Sequence, residues 1–420
     1  MDREDIEQLQ IERLQATLHR VFKNVHHYRK TFKSIDFMPE DLKAFDDFKR
    51  LPLTTRQDLT NNYPYGMFAV PLREVVRLLT PALTLDRPVV IGFTVNDLDN
   101  WAELMARNFG AIGVSKEDVV QISLNFGMIT GPFGVQLGAE RIGASVIPVS
   151  GGNLTGQVKI VRDFKTTLLV STPTFALGLI RAMSDQGVDP KSLSLRCGLF
   201  GAEPWSEETR DTIQSALHIS ATDAYGLAEV FGPGVAWECP EKKGLHIPED
   251  HFYPEIIDPE TGSPLADGDE GELVLTTLTK EAVPLIRYRT GDITAIDKTP
   301  CACGRTNCRI GRIIQRTDDI IVMRGTNIIP EQIDQILSET IGPDPIYQLV
   351  VDRINDQDQL QVKIGISDLI FFDEMKKQRR MVEKLHRILS EFVGWEVGVK
   401  LVEPSSLDIP KKVLDNRSHI

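Results

Sequence analysis

Between about residues 65 and 200, short β-branched runs alternate with helical stretches, a pattern that restricts the chain to parallel strands joined by crossover helices. The runs fall at 88–91, 119–122, 145–149 and 167–170, and 99–109 is a representative helical stretch. Around 251–298 the pattern changes. FYPEIIDPETGSPLADGDEGELVLTTL reads as a strand, a turn rich in Gly, Asp and Pro, and a second strand, so a β-rich lobe is expected over about 230–316. After 316, strands at 320–323, 347–352 and 360–366 bracket helices at 330–339 and 372–393.

The chain has 420 residues, more than one hydrophobic core usually supports. The expected fold class is α/β: a large N-terminal domain of parallel α/β sheets plus the β-rich lobe (1–316), then a small mobile α+β C-terminal domain (317–420). Ile11, Leu14, Leu18, Val21, Phe22 and Val25 form a helical stripe near the start, which is packing rather than chemistry.

Composition excludes several function classes. At 41% hydrophobic and 25% charged, with no uninterrupted apolar stretch of membrane-spanning length, no membrane association is expected. A formal net charge of -13 argues against a broad nucleic-acid surface, leaving Arg305, Arg309, Arg312 and Arg316 as a local run able to face an anionic small molecule. The start MDREDIEQLQ lacks the basic and apolar segments of a secretory signal, so a cytoplasmic location is expected.

Five cysteines are too few and too unevenly spaced for a disulfide framework. Cys239 and His246 flank the turn PEKKG, and Cys301 and Cys303 form a C-A-C knuckle before Gly304. Three thiolates and an imidazole would make a closed, structural zinc site, with His251 and Cys308 in reserve; the alternative is a set of unrelated reduced cysteines. Cys197, in RCGLFGAEPW, reads as a small core residue.

DAYGLAEV at 223–230 is a small-residue turn carrying an aromatic ring and Glu229, either a ligand for a hard cation such as magnesium or a solvated turn. FGAEPW at 200–205, AYGLAE at 224–229, YRTGD at 288–292 and QRTDDIIVMRG at 315–325 follow one another in the order found in adenylate-forming enzymes. The chain resembles the phenylacetate–CoA ligases in particular. KRLPLTTRQDLTNNYPYGMFAVP at 49–71 and GAERIGASVIPVSGGN at 138–153 extend the match over nearly the whole chain.

The resemblance implies formation of an acyl-adenylate from an aromatic carboxylic acid and ATP, then rotation of the small domain and transfer of the acyl group to coenzyme A. It places Gly201, Ala202, Glu203, Asp223, Tyr225 and Gly226 around adenine and AMP, and Mg2+ at Glu229. Asp292 would accept from the ribose hydroxyls. Arg316 would contact ribose or phosphate, and Asp318 would be the hinge. A surface ion pair is the alternative reading of Asp292 and Arg316. Phe126 and Gly131 lie where the family contacts an aromatic acid, although Phe126 also reads as core. A homodimer is implied as well.

Two departures stand against these matches. Where the family has SSGTTGK, this chain has Pro81, Ala82, Leu83, Thr84, Leu85, Asp86 and Arg87, so only Thr84 is unchanged and Arg87 replaces the lysine. Proline removes a phosphate-facing N–H, leucine lacks glycine's freedom, and Asp86 repels phosphate. Near the end, VLDNR at 413–417 matches the family's VIDNR, which puts Ile409 at the catalytic lysine's place. Lys411 or Lys412 substitutes only if the loop shifts by two or three residues, about 7 to 10 Å of extended chain. Three readings follow: an active ligase, a paralogue that binds AMP or acyl-CoA without adenylating, and a structural partner of a true ligase.

Overall fold

The computed structural model describes residues 1–81, 88–128, 130–354, 357–366, 375–408 and 411–417. Helices Arg3–Asn24 and His26–Ser34 open the chain and bury Leu14, Leu18, Val21, Tyr28 and Phe32. Their stripe is interrupted at Val25, whose extended backbone separates the two helices. Strands β1 (Arg77–Leu79) and β2 (Ile91–Phe93) pair antiparallel. Helix Val95–Ala111 starts at Thr94, whose hydroxyl accepts from Asp97 N while the Asp97 carboxylate accepts from Thr94 N.

Three of the four expected runs join a parallel sheet, whereas the run at 88–91 supplies only the first residue of the antiparallel β2; the sheet comprises β3 (Val119–Ile122), β4 (Ser145–Pro148), β5 (Leu168–Ser171), β6 (Cys197–Gly201) and β7 (Ser220–Tyr225). Strands β5 and β6 are buried along almost their whole length, as expected for strands covered by helices on both faces. The spatial order β7-β6-β5-β3-β4 reverses its winding between β3 and β5. A crevice at the carboxyl ends of such strands is where ligands bind in open α/β sheets.

The β-rich region divides between two sheets. Strands β8 (Ala236–Glu238) and β9 (Leu245–His246) extend the parallel sheet from β7 with antiparallel pairing. Strands β10 (Phe252–Ile257), β11 (Gly271–Thr277) and β12 (Tyr288–Thr294) form a separate antiparallel sheet. Then β13 (Ile296–Asp297) and β14 (Arg309–Ile310) return to β9 and complete nine strands, while β15 (Gln315–Arg316) joins β12.

Hairpin β16 (Ile321–Met323) and β17 (Thr326–Ile328) begins the small domain. Strands β18 (Tyr347–Ile354), β19 (Gln357–Gly365), β20 (Gly398–Val402) and β21 (Val413–Asp415) form its sheet in the order β20-β19-β18-β21. Helices Pro330–Ile341 and Met375–Val393 contribute Ile333, Ile336, Leu337, Leu385, Leu389 and Val393 to a core of its own. The expected helix began at 372; residues 372–374 lie outside the described residues. Among the described residues no helix is long and apolar enough to cross a membrane.

Candidate active site

A cleft of about 540 Å³ lies over the carboxyl ends of β5, β6 and β7 and is closed from above by the β16–β17 hairpin. Gly201, Ala202, Glu203, Asp223, Tyr225 and Gly226 line it together with Asp292 and Arg316. The tight spacing explains the small residues. A Cβ on Gly201 would stand 2.3 Å from the Ala224 carbonyl oxygen, and Ala202 adopts a left-handed φ of 63°.

Glu203 is buried and accepts from Thr174 N at 2.7 Å, from Thr174 Oγ1 at 2.6 Å and from Arg324 N, in the small-domain hairpin, at 2.9 Å. Burial pushes its carboxyl above the usual range. Asp223 is pushed up to about 6, chiefly by burial and then by the charge of Glu238. Glu238 accepts Asp223 N at 2.8 Å and a two-pronged bond from Arg210, each prong 2.7 Å. Arg312, a residue the motifs did not single out for this wall, donates to the Trp205 carbonyl at 2.6 Å and approaches Asp223 at 4.0 Å.

Asp292 sits deeper, on β12. Tyr225 donates its hydroxyl to Asp292 Oδ2 at 2.6 Å, and Arg316 Nη1 pairs with Oδ1. Arg316 also grips Asp318 with Nε and Nη2 at 2.7 and 2.8 Å. Burial raises the Asp292 carboxyl while Arg316 opposes that shift. Burial and the neighbouring carboxylate hold the Tyr225 phenol protonated, so it acts as a donor. A buried carboxylate with spare lone pairs, a fixed guanidinium and an aromatic face suits a sugar hydroxyl pair beside a phosphate. The proposed hinge, Asp318, is thus tied to the cleft through Arg316.

The other end of the cleft is apolar, bounded by Leu124, Gly131, Val135, Val170, Leu199 and Pro233. Gly131 is on this wall. Phe126 is not among the lining residues; its ring packs edge-on against Phe133 at 5.4 Å. Val170 and Leu199 lie within β5 and β6 and stand out in the sequence only as strand residues.

Glu229 is buried and paired with Arg56 at 3.4 Å, a partner from the TTRQDL segment 173 residues away. Pro81 lines the cleft, whereas Thr84, Arg87 and Ile409 lie outside the described residues. Lys411 and Lys412 are not among the cleft lining. Lys411 N donates to Asp408 O at 2.9 Å, and Lys412 approaches Asp334 at 3.7 Å.

Away from the cleft, Cys239, His246, Cys301 and Cys303 bring their ligand atoms within 4.8 Å of one another. The two reserve residues are engaged elsewhere. His251 Nδ1 lies 2.7 Å from Thr279 Oγ1, and Cys308 is buried beside Glu249, which accepts its backbone N–H at 2.7 Å. Cys197 is buried in the core, and burial raises its thiol to about 11.

Two family descriptions match this chain: "AMP-binding enzyme" over residues 91–278 and "AMP-binding enzyme C-terminal domain" over 325–417. The phenylacetate-coenzyme A ligase of Aromatoleum evansii is 41% identical across 99% of this chain and 95% of its own length. That of Escherichia coli (strain K12) is 42% identical across 96% and 92% respectively. Among solved structures, 2-hydroxyisobutyryl-CoA ligase with 2-HIB-AMP and CoA in the thioesterification state has a TM-score of 0.93 at 25% identity, covering 100% of this chain and 91% of that one. The same enzyme in its postadenylation state, also 25% identical and covering 99% and 91%, scores 0.73. Since one protein yields both scores, the difference lies in how its parts are arranged, and the arrangement here is like that of the thioesterification state. From its cleft, its two-part fold and its near-full-length identity to those ligases, the chain belongs to the phenylacetate–CoA ligase family of adenylate-forming enzymes.

Proposed function

We propose that the chain is an acid–CoA ligase acting on an aromatic carboxylic acid. The observation that carries this reading is the joining, in one cleft, of an apolar lining to the Tyr225–Asp292–Arg316 cluster. The acid's ring occupies the apolar end, so its carboxylate points toward the nucleotide. A carboxylate oxygen attacks the α-phosphorus of ATP, the bond to the β-phosphate breaks and pyrophosphate leaves. The thiolate of coenzyme A then attacks the acyl carbon and releases AMP. Asp292 and Arg316 orient ribose and phosphate, contributing position rather than covalent chemistry.

Mg2+ is assigned to Glu229, whose carboxylate fits a hard cation once Arg56 yields it. Zinc is assigned to the three-cysteine, one-histidine cluster. Thr84 and Arg87 are proposed to retain part of the phosphate grip. Lys411 is proposed to reach the cleft when the small domain turns about Asp318. A cytoplasmic homodimer completes the proposal.

The test is carboxylate-dependent pyrophosphate–ATP exchange with phenylacetate and other aryl acids, with and without magnesium. Exchange above background supports the ligase. Absence of exchange in a protein that still binds AMP would replace it with a binding-only paralogue.

A further inference from the structure

The four-ligand cluster is built from two loops that close in the same way. Lys242 N donates to the Cys239 carbonyl at 3.0 Å, and Gly304 N donates to the Cys301 carbonyl at 2.9 Å. Lys242 and Gly304 carry the positive φ values, 52° and 83°, that let each loop turn back on itself. The backbone N–H of Glu241 faces the Cys239 sulfur, and that of Arg305 faces the Cys303 sulfur. Such paired turns direct backbone donors at thiolates.

Distances choose between a metal site and coincidence. Cys239 Sγ and Cys301 Sγ are 3.7 Å apart, far beyond the roughly 2.0 Å of a disulfide. Cys303 Sγ and His246 Nε2 are 3.5 Å apart. With Zn–S near 2.3 Å and Zn–N near 2.0 Å, tetrahedral angles give S···S edges of about 3.8 Å and S···N edges of about 3.5 Å. Both measured edges therefore fit zinc. The four ligands leave no open position, so the ion would be structural.

The cluster also adjoins the cleft wall. Cys239 directly follows β8, where Glu238 anchors Asp223 N and Arg210. His246 pairs with Arg309 across β9 and β14. From β14 the chain runs straight into the cleft-lining residues Gly311, Arg312 and Ile314, and on to Arg316. β8 and β9 are only three and two residues long, so ladder hydrogen bonds alone hold this wall weakly.

We infer that Cys239, His246, Cys301 and Cys303 bind one zinc ion in a closed tetrahedral site that staples this wall, so that adenine-nucleotide affinity depends on the ion. The inference rests on the ligase reading only in taking the cleft to hold adenine nucleotide.

The experiment uses the full chain purified from zinc-supplemented medium, as wild type, C303S, C303H and C308S. Zinc is counted by elemental analysis and AMP affinity is measured by calorimetry. Wild type, C303H and C308S should carry about one zinc per chain, and C303S should lose it. Zinc-free protein, whether C303S or chelator-stripped wild type, should bind AMP at least about tenfold more weakly, with recovery when zinc is returned to the stripped protein. Reversible stripping separates loss of the ion from failure of a variant to fold. A metal-free wild type, zinc loss in C308S, or AMP affinity unchanged on stripping would overturn the inference. Neither readout needs turnover. Absence of exchange beside zinc-dependent AMP binding would remove the ligase reading alone, and exchange beside zinc-independent binding would remove this inference alone.

Discussion

Replacing Tyr225 by phenylalanine removes one hydroxyl and leaves the ring, which isolates the bond to Asp292. That bond is 2.6 Å long and ends on a buried carboxylate. Hydrogen bonds to charged groups contribute about 1.5–3 kcal/mol, so Y225F should lose that much once the pH is high enough to ionise Asp292. The pH dependence follows from the sign of the shift. Asp292 already has a raised carboxyl, because burial favours its neutral form, and the Tyr225 hydroxyl opposes that rise. Removing the hydroxyl raises it further. Stability linked to Asp292 is present at low pH and lost as pH rises through its folded value, so the penalty of Y225F should be largest above that value and shrink as pH falls below it. In catalysis, the acidic limb of kcat/KM for ATP should move to higher pH, because the ribose acceptor is ionised over a narrower range. The assays are thermal unfolding across pH and exchange kinetics at matched pH values. A pH-independent stability difference with parallel activity profiles would refute the role given to Tyr225.

Arg210→Met strands Glu238 in a buried position, a loss of about 3–5 kcal/mol. Unfolding entropy near 2.1 cal/mol/K per residue over a domain of roughly 320 residues converts this to a Tm lowered by about 4–7 °C; calorimetry finding less than 1 °C would contradict the network. Asp223 sits at about 6 instead of 3.8, so its contribution is present below pH 4 and lost as pH rises through 6, about 3 kcal/mol in all. D223N should flatten that part of the stability profile between pH 4 and 8, and urea titrations with equal pH slopes in both proteins would count against it.

The parallel sheet was legible because its strands advertise themselves. Val119–Ile122 is a β-branched run whose expected and observed limits coincide, and Leu168–Ser171 is displaced by one residue. The division of the β-rich region between two sheets was not legible, because local alternation reports that a strand exists and is silent on which distant edge accepts it. The site followed the same rule. Asp292, Arg316 and Tyr225 stood out through motifs that resemble a family, and the Cys-X-Cys knuckle through its spacing. The Arg56–Glu229 pair spans 173 residues and Glu203–Arg324 spans 121, with no local signal at either end. Val170 and Leu199 are ordinary sheet residues whose place in the cleft wall has no local signal.

Glu203 touches both halves of the molecule and belongs securely to one of them. Its two bonds from Thr174 stay within the large domain, and its third, from Arg324 N, crosses to the small one. If the small domain turns away as proposed, the carboxylate keeps two donors and avoids the penalty of a stranded buried charge. What is broken at this contact is a single bond, about 1.5–3 kcal/mol because its acceptor is charged. Such a contact would act like a clutch, engaging and slipping at low cost. A two-step enzyme that visits two orientations in each turnover would be served by a contact this cheap to break.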